Sequence, residues 1–168
     1  MMSKKVTRRQ FLSYALMGTG GFMASAMLMP MVRFAIDPVL QAGGEGEFIP
    51  TPQKVDDLTA TPIRVDFTVK DRKDGWYKSD VSNTAWVFKE GDEIIAFSPV
   101  CKHLGCTVSW EGDPAHKNEF FCPCHNGRYE KNGKNIPGSP PLGPLDQFEV
   151  KVEGGYVYLG KTIPNTLV

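Results

Sequence analysis

The sequence CKHLGC at residues 101–106 is followed further along the chain by CPCHNG at residues 122–127. Together these two boxes contain all four cysteines and two of the three histidines of the chain. In each box a histidine follows the first cysteine by two or three residues. Because thiolates and imidazoles are the preferred ligands of soft and borderline metals, the two boxes predict a metal centre.

The candidate ligands are Cys101 and His103 from the first box and Cys122 and His125 from the second. Two thiolates and two imidazoles can hold a two-iron, two-sulfur cluster, with the cysteines on one iron and the histidines on the other. A structural zinc site would use four ligands and leave two of the six groups idle. A framework of two disulfides without metal would leave both histidines without a role. The ligand set therefore favours one-electron transfer that can be coupled to a proton.

Both boxes resemble those of the Rieske iron–sulfur proteins of cytochrome bc and bf complexes, which read C-x-H-x-G-C and C-P-C-H-x-[GS]. The resemblance implies that the four candidate ligands bind one 2Fe–2S cluster. It also implies that Cys106 and Cys124 form a disulfide between the cluster loops. Rieske ferredoxins and ring-hydroxylating oxygenases generally lack these two cysteines, so the resemblance is to the quinol-oxidising group.

The function that this resemblance implies is that of the Rieske subunit of a quinol–cytochrome c reductase. Such a subunit takes one electron from menaquinol, with a proton accepted by His103 or His125, and passes the electron to a cytochrome c-type haem. A cytochrome b-type subunit and a cytochrome c-type subunit of the same complex would be its partners. The N-terminal pattern and Gly127 favour the menaquinol-oxidising type of Gram-positive bacteria. Two alternatives stay open, namely the Rieske subunit of a periplasmic oxidase of the arsenite-oxidase type and a structural zinc-binding module.

The same resemblance assigns roles to residues around the ligands. High-potential relatives carry serine at the position of Gly127 and tyrosine at the position of Tyr129, and both donate hydrogen bonds to the sulfurs. This chain lacks the first donor, so we expect a midpoint potential lower than in ubiquinol-oxidising relatives. Pro140 and Pro141 match the proline loop that covers the cluster. Leu104 is expected to shield the cluster and to contact the quinone.

The N-terminal part of the chain has the composition of a membrane anchor. No residue from Gln10 to Val32 is charged, and residues 11–32 are rich in Leu, Met, Ala, Phe and Gly. At about 1.5 Å per residue, this run is long enough to cross a bilayer core of about 30 Å. The basic residues before it predict a cytoplasmic N-terminus and a folded domain on the extracytoplasmic side of the cell membrane.

Residues 7–12, TRRQFL, also resemble a twin-arginine export signal. Cleavage after Ala26 stays open because Ala24–Ala26 looks like a small-residue cleavage site. The apolar run continues past this site, and we expect the segment to be retained as an anchor. The predicted organisation is a cytoplasmic twin-arginine region at 1–10, a transmembrane signal-anchor helix at 11–36, a flexible tether at 37–52 and a Rieske 2Fe–2S domain at 53–168.

Charge is distributed unevenly although the net charge is zero. Residues 1–44 carry five basic residues and one acidic residue, which leaves 14 basic and 18 acidic residues in 45–168. The predicted domain has no basic, aromatic-rich face, so the composition argues against a nucleic-acid partner.

The region after the anchor has the pattern of an all-β fold, an antiparallel β-sandwich or small barrel. Short runs of β-branched and aromatic residues alternate with glycine-rich turns. Each box follows a predicted strand, which places the candidate ligands at the tips of two loops. His116 lies outside both boxes and is expected to be an exposed loop residue. The clearest predicted strands are 63–69, 85–88, 94–97, 119–121, 148–152 and 156–159.

Overall fold

The computed structural model describes residues 6–41, 47–74 and 77–168. The chain divides into two units, Met1–Glu45 and Gly46–Val168. Residues 1–5 of the predicted twin-arginine region and residues 42–46 of the predicted tether lie outside the described residues.

The first unit contains one helix, α1, which spans Arg8–Gln41. A capping box starts it, because Thr7 Oγ1 accepts the N–H of Gln10 while Gln10 Oε1 accepts the N–H of Thr7. The span Arg8–Asp37 has the length and composition of a membrane-crossing helix, and its most apolar window is fully exposed.

Helix α1 extends five residues past the predicted end of the anchor at residue 36. Arg33 and Asp37 lie one turn apart and form an ion pair of 3.0 Å, which favours helix at this point. The predicted tether, residues 37–52, is therefore helical as far as Gln41 and becomes a strand at Ile49. The proposed division of the chain into domains stays a prediction.

The second unit is rich in strands, and every strand pairing among the described residues is antiparallel. A six-stranded sheet has the order β1-β9-β8-β4-β3-β2, and a three-stranded sheet has the order β5-β6-β7. The edge strands β1 and β2 lie close together, so the larger sheet is nearly closed. This architecture confirms the predicted all-β class. The strands are β1 Ile49–Lys54, β2 Ile63–Asp74, β3 Tyr77–Glu90, β4 Glu93–Phe97, β5 Ser109–Trp110, β6 Glu119–Cys122, β7 Gly127–Glu130, β8 Gln147–Glu153 and β9 Tyr156–Ile163.

Two-residue turns close the hairpins that the sequence indicates most clearly. Gly154 and Gly155 both have positive φ, 59° and 80°, and connect β8 to β9. Such a turn matches the right-handed twist of the flanking strands, and glycine adopts it without steric cost.

Two hydrophobic cores fill the second unit. The first lies inside the six-stranded sheet and includes Phe67, Val87 and Leu159. The second joins the two sheets, because Phe97 of β4 meets Phe120 of β6 edge to face with ring centroids 5.9 Å apart. The second core also contains Cys101 and Cys122, so the packing that joins the sheets surrounds the thiols of both boxes.

Candidate metal centre

The first box lies in a tightly closed loop after β4. The N–H of Cys101 donates to the carbonyl of Cys106 over 2.8 Å, and the N–H of Gly105 donates back to the carbonyl of Cys101 over 3.0 Å. Gly105 has a φ of 78°, a conformation that favours glycine. Val100 and Thr107 pair across the base of the loop. The loop is therefore fixed by its own backbone.

The second box forms the turn between β6 and β7. Cys122 and Gly127 pair directly at the ends of these strands, so residues 123–126 protrude from the sheet. Asn126 has a φ of 58°, which asparagine tolerates better than most residues. Both boxes thus meet at the second core, which contains a thiol from each of them.

The thiols of Cys101 and Cys122 are free and lie in the core, with exposed fractions of 3% and 2%. Burial raises the pKa of the Cys122 thiol, and the N–H groups of Cys124 and His125, which bond to its sulfur, act in the opposite direction. A cation bound at this position would stabilise the thiolate form that burial alone disfavours. The two buried thiols therefore have the environment of metal ligands.

Tyr129 provides a further hydrogen bond to this buried side. Its hydroxyl lies 3.2 Å from Cys101 Sγ and accepts the N–H of Lys102 over 2.8 Å. Burial raises the pKa of Tyr129 above its ordinary value, so the phenol keeps its proton. Since the hydroxyl accepts from Lys102, its own proton is available to the sulfur of Cys101.

The histidines lie on the opposite, exposed side of the same loops. The rings of His103 and His125 are in edge-to-face contact with centroids 4.8 Å apart. The structure thus pairs the candidate ligands by type, two buried thiols in one core and two exposed imidazoles in contact with each other. This donor set fits a 2Fe–2S cluster with cysteines on the inner iron and histidines on the outer iron.

Cys106 and Cys124 form a disulfide that joins the two loops. The sulfurs of Cys106, Cys122 and Cys124 lie within 4.8 Å of one another, as the sulfurs of a three-cysteine metal site would. However, two of these sulfurs are bonded to each other and offer no thiolate. The disulfide therefore argues against a zinc site built on the three cysteines.

The predicted proline loop packs against the second box. Pro141 is buried, and its carbonyl accepts a hydrogen bond from Asn135 Nδ2 over 2.9 Å. A methyl group built on Gly127 would stand 3.1 Å from Pro141 Cγ and 3.2 Å from Cys101 Sγ. Pro140 is half-buried. Glycine at position 127 therefore allows the proline segment to approach the buried thiols closely.

Two leucines are exposed, one in the first box and one in the proline loop. Leu104 is 71% exposed, and Leu142, which the sequence did not single out, is 95% exposed. Leu142 directly follows Pro141, so the resemblance to the proline loop was the signal that could have identified it.

His116 lies in the loop between β5 and β6, as expected, but the expectation that it is exposed was wrong. This residue is half-buried, because its ring stacks on Phe121 with centroids 5.2 Å apart. Its Nδ1 lies 3.9 Å from Oε2 of Glu119. The carboxylate of Glu119 also forms a bidentate ion pair with the guanidinium of Arg128. Hydrogen bonding to the Arg128 guanidinium lowers the pKa of Glu119. This group braces the β6–β7 hairpin that carries the second box.

Comparison with known proteins agrees with this geometry. The sequence pattern of the Rieske [2Fe-2S] domain matches residues 63–149. The menaquinol:cytochrome c reductase iron-sulfur subunit of Bacillus subtilis (strain 168) is 58% identical over 159 residues, which cover 95% of this chain and 94% of that protein. The subunit of the same name from Geobacillus thermodenitrificans is 54% identical over 161 residues, with the same coverage. The cytochrome b6-f complex iron-sulfur subunit of Chlorobaculum thiosulfatiphilum is 32% identical over 155 residues, 92% of this chain and 75% of that protein.

Proposed function

The chain belongs to the Rieske [2Fe-2S] family, and on that premise we propose that it is the iron–sulfur subunit of a menaquinol–cytochrome c reductase. One observation carries the proposal: two buried thiols and two exposed imidazoles converge on loops that a disulfide joins. Two relatives that match nearly the whole chain bear the name of that subunit.

The residues of each box have distinct tasks in this proposal. Cys101 and Cys122 would hold the inner iron, and His103 and His125 the outer iron. When bound, the cluster supplies a one-electron couple whose oxidised form favours loss of a proton from the imidazoles. Burial of the two cysteines excludes water from the inner side.

The exposed histidines are the groups that can reach menaquinol. His103 or His125 accepts a hydrogen bond from a quinol hydroxyl at the ring nitrogen that the metal leaves free, and the proton of the quinol passes to this nitrogen. Leu104 and Leu142, both exposed on the loops, supply apolar surface that suits contact with a quinone ring. The proton-accepting side of the site therefore coincides with its accessible side.

Hydrogen bonds on the inner side determine how readily the electron is accepted. The hydroxyl of Tyr129 donates to Cys101 Sγ, and the N–H groups of Cys124 and His125 donate to Cys122. Donors of this kind stabilise the additional negative charge of the reduced state. Gly127 offers no side-chain donor, so the midpoint potential of the cluster should be lower. A lower potential suits oxidation of a low-potential quinol.

Helix α1 is proposed to anchor the protein in the cell membrane by a single pass. Its N-terminus would be cytoplasmic and the cluster domain extracytoplasmic. Export by a twin-arginine signal around Arg8 and Arg9, retention of the uncleaved helix and a tether between this helix and the cluster domain belong to this proposal. A cytochrome b-type and a cytochrome c-type subunit would complete the complex.

Low-temperature electron paramagnetic resonance (EPR) of dithionite-reduced membranes, with and without a quinol-site inhibitor, tests this function. We expect the rhombic signal of a histidine-ligated two-iron cluster and a shift of this signal when the inhibitor binds. A signal that the inhibitor leaves unchanged would indicate a separate redox subunit of the arsenite-oxidase type. Absence of the signal from metal-loaded protein would refute the cluster itself.

A further inference from the structure

Lys102, the residue between the first two candidate ligands, forms an ion pair that metal binding does not explain. Its Nζ lies 2.6 Å from Oδ2 of Asp146. The exposed fractions of the two side chains are 36% and 34%, so water screens the pair only in part. Lys102 is the residue between the candidate ligands Cys101 and His103, so the pair begins on the loop that carries both of them.

The backbone of Asp146 is held in place independently of this ion pair. Its carbonyl accepts the N–H of Ser98 over 2.8 Å, and Ser98 directly follows β4. The preceding residue, Leu145, is fully buried in the core that contains both free thiols. The carboxylate of Asp146 is therefore carried on rigid backbone.

Lys102 is also fixed at its backbone. Its N–H donates to the hydroxyl of Tyr129, which in turn contacts Cys101 Sγ. The residue is thus held through its backbone by β7 and through its side chain by the segment before β8. These two contacts restrict the position of the lysine more than that of a free surface lysine.

We propose that Asp146 balances the charge of Lys102 and that the two charges together set the midpoint potential of the cluster. This inference rests on the proposed function, since it requires the cluster to be bound. A positive charge beside a redox centre favours the reduced, more negative state, and a negative charge disfavours it. Removing one partner leaves the other charge unbalanced, whereas removing both leaves the net charge unchanged.

Redox titration of the EPR signal in membranes that contain the full chain tests this proposal. Lys102→Met should lower the midpoint potential, Asp146→Asn should raise it, and the double variant should return close to the wild-type value. Lys131→Met is the control, because Lys131 also forms an ion pair, with Glu90 at 3.4 Å, but is not adjacent to a candidate ligand. This control should leave the midpoint potential unchanged.

The direction of the shifts separates charge balance from a merely structural role. Two single variants that shift the potential in the same direction, or not at all, would overturn the proposal. Both single variants could lose the cluster. In that case, a double variant that keeps the cluster at the wild-type midpoint potential supports charge balance. Loss of the cluster in all three variants overturns the proposal. Lack of a Rieske-type signal in the wild-type chain would instead refute the proposed function.

Discussion

The two sides of the candidate metal centre differ sharply although the same two short loops build both. Cys101 and Cys122 lie in the core that joins the two sheets, whereas His103 and His125 are exposed. One or two residues separate each cysteine from its histidine, and each loop turns within that distance. One pattern of residues therefore gives a dry side and an accessible side.

The residues that surround the thiols differ from those that surround the imidazoles. Donors and packing surround the thiols, namely the hydroxyl of Tyr129, two backbone N–H groups and the ring of Pro141. The imidazoles are exposed, and Leu104, next to His103 in the first box, is exposed with them. The buried side is suited to setting the midpoint potential of the cluster, and the exposed side is suited to binding a quinol.

The largest expected effect comes from removing a ligand on the buried side. In Cys122→Ser the hydroxyl is not ionised at neutral pH, so we expect complete loss of bound iron and of the EPR signal. Iron analysis of purified protein measures this effect. His116→Ala is the control outside the ligand set and should keep its iron. Retention of a normal cluster by Cys122→Ser would show that the buried side is not the metal-binding side.

The disulfide is the covalent link between the two loops, and its removal should have the next largest effect. Cys106→Ala combined with Cys124→Ala opens a loop closed by residues 18 apart in sequence. Cross-links of roughly this span stabilise a domain by about 3 kcal/mol through the entropy of the unfolded chain. Urea unfolding followed by circular dichroism should show a loss of this order. Thr107→Ala in the same loop should unfold like the wild type, and equal stability of the double variant would contradict the account.

Tyr129→Phe removes one hydrogen-bond donor from the buried side of the site without replacing a ligand. We expect a lower midpoint potential, since Cys101 Sγ loses a hydrogen bond that favours the reduced state. The N–H of Lys102 also loses its acceptor, which should cost about 1–3 kcal/mol of stability if it stays unpaired. Redox titration measures the first effect, with Tyr156→Phe at an exposed tyrosine as the control. A raised potential would show that this hydroxyl does not act as a donor.

Gly127→Ser adds a donor on the same side and should give a smaller effect in the opposite direction. The new hydroxyl should raise the midpoint potential, but its Cβ must fit 3.1 Å from Pro141 Cγ and 3.2 Å from Cys101 Sγ. Gly127→Ala introduces the same crowding without a hydroxyl and should not raise the potential. Redox titration of both variants separates the two causes. An equal rise in both would assign the change to crowding of the proline segment.

Local sequence signals predicted much of the fold. The turn at Gly154 and Gly155 and the alternation along residues 63–69 depend on neighbours in sequence, and both appear in the structure as expected. The position of each box after a strand also follows from local pattern, as the ends of β4 and β6 show.

What the sequence did not indicate depends on which side chains meet in the folded chain. The contact of Lys102 with Asp146 spans 44 residues, and that of His116 with Phe121 depends on how a loop folds back over a ring. Helix α1 also continues to Gln41, beyond the apolar run, and the ion pair of Arg33 with Asp37 favours helix there. Contacts between individual side chains leave no periodic signal in the chain.

We propose that the exposed histidines and the buried cysteines hold one and the same cluster. Pulsed EPR of reduced protein in which only histidine carries ¹⁵N tests this proposal. We expect hyperfine couplings from two histidine nitrogens, and their loss together with the cluster when His103 and His125 are both replaced. A two-iron signal without couplings from histidine nitrogen would show that the histidines are not ligands.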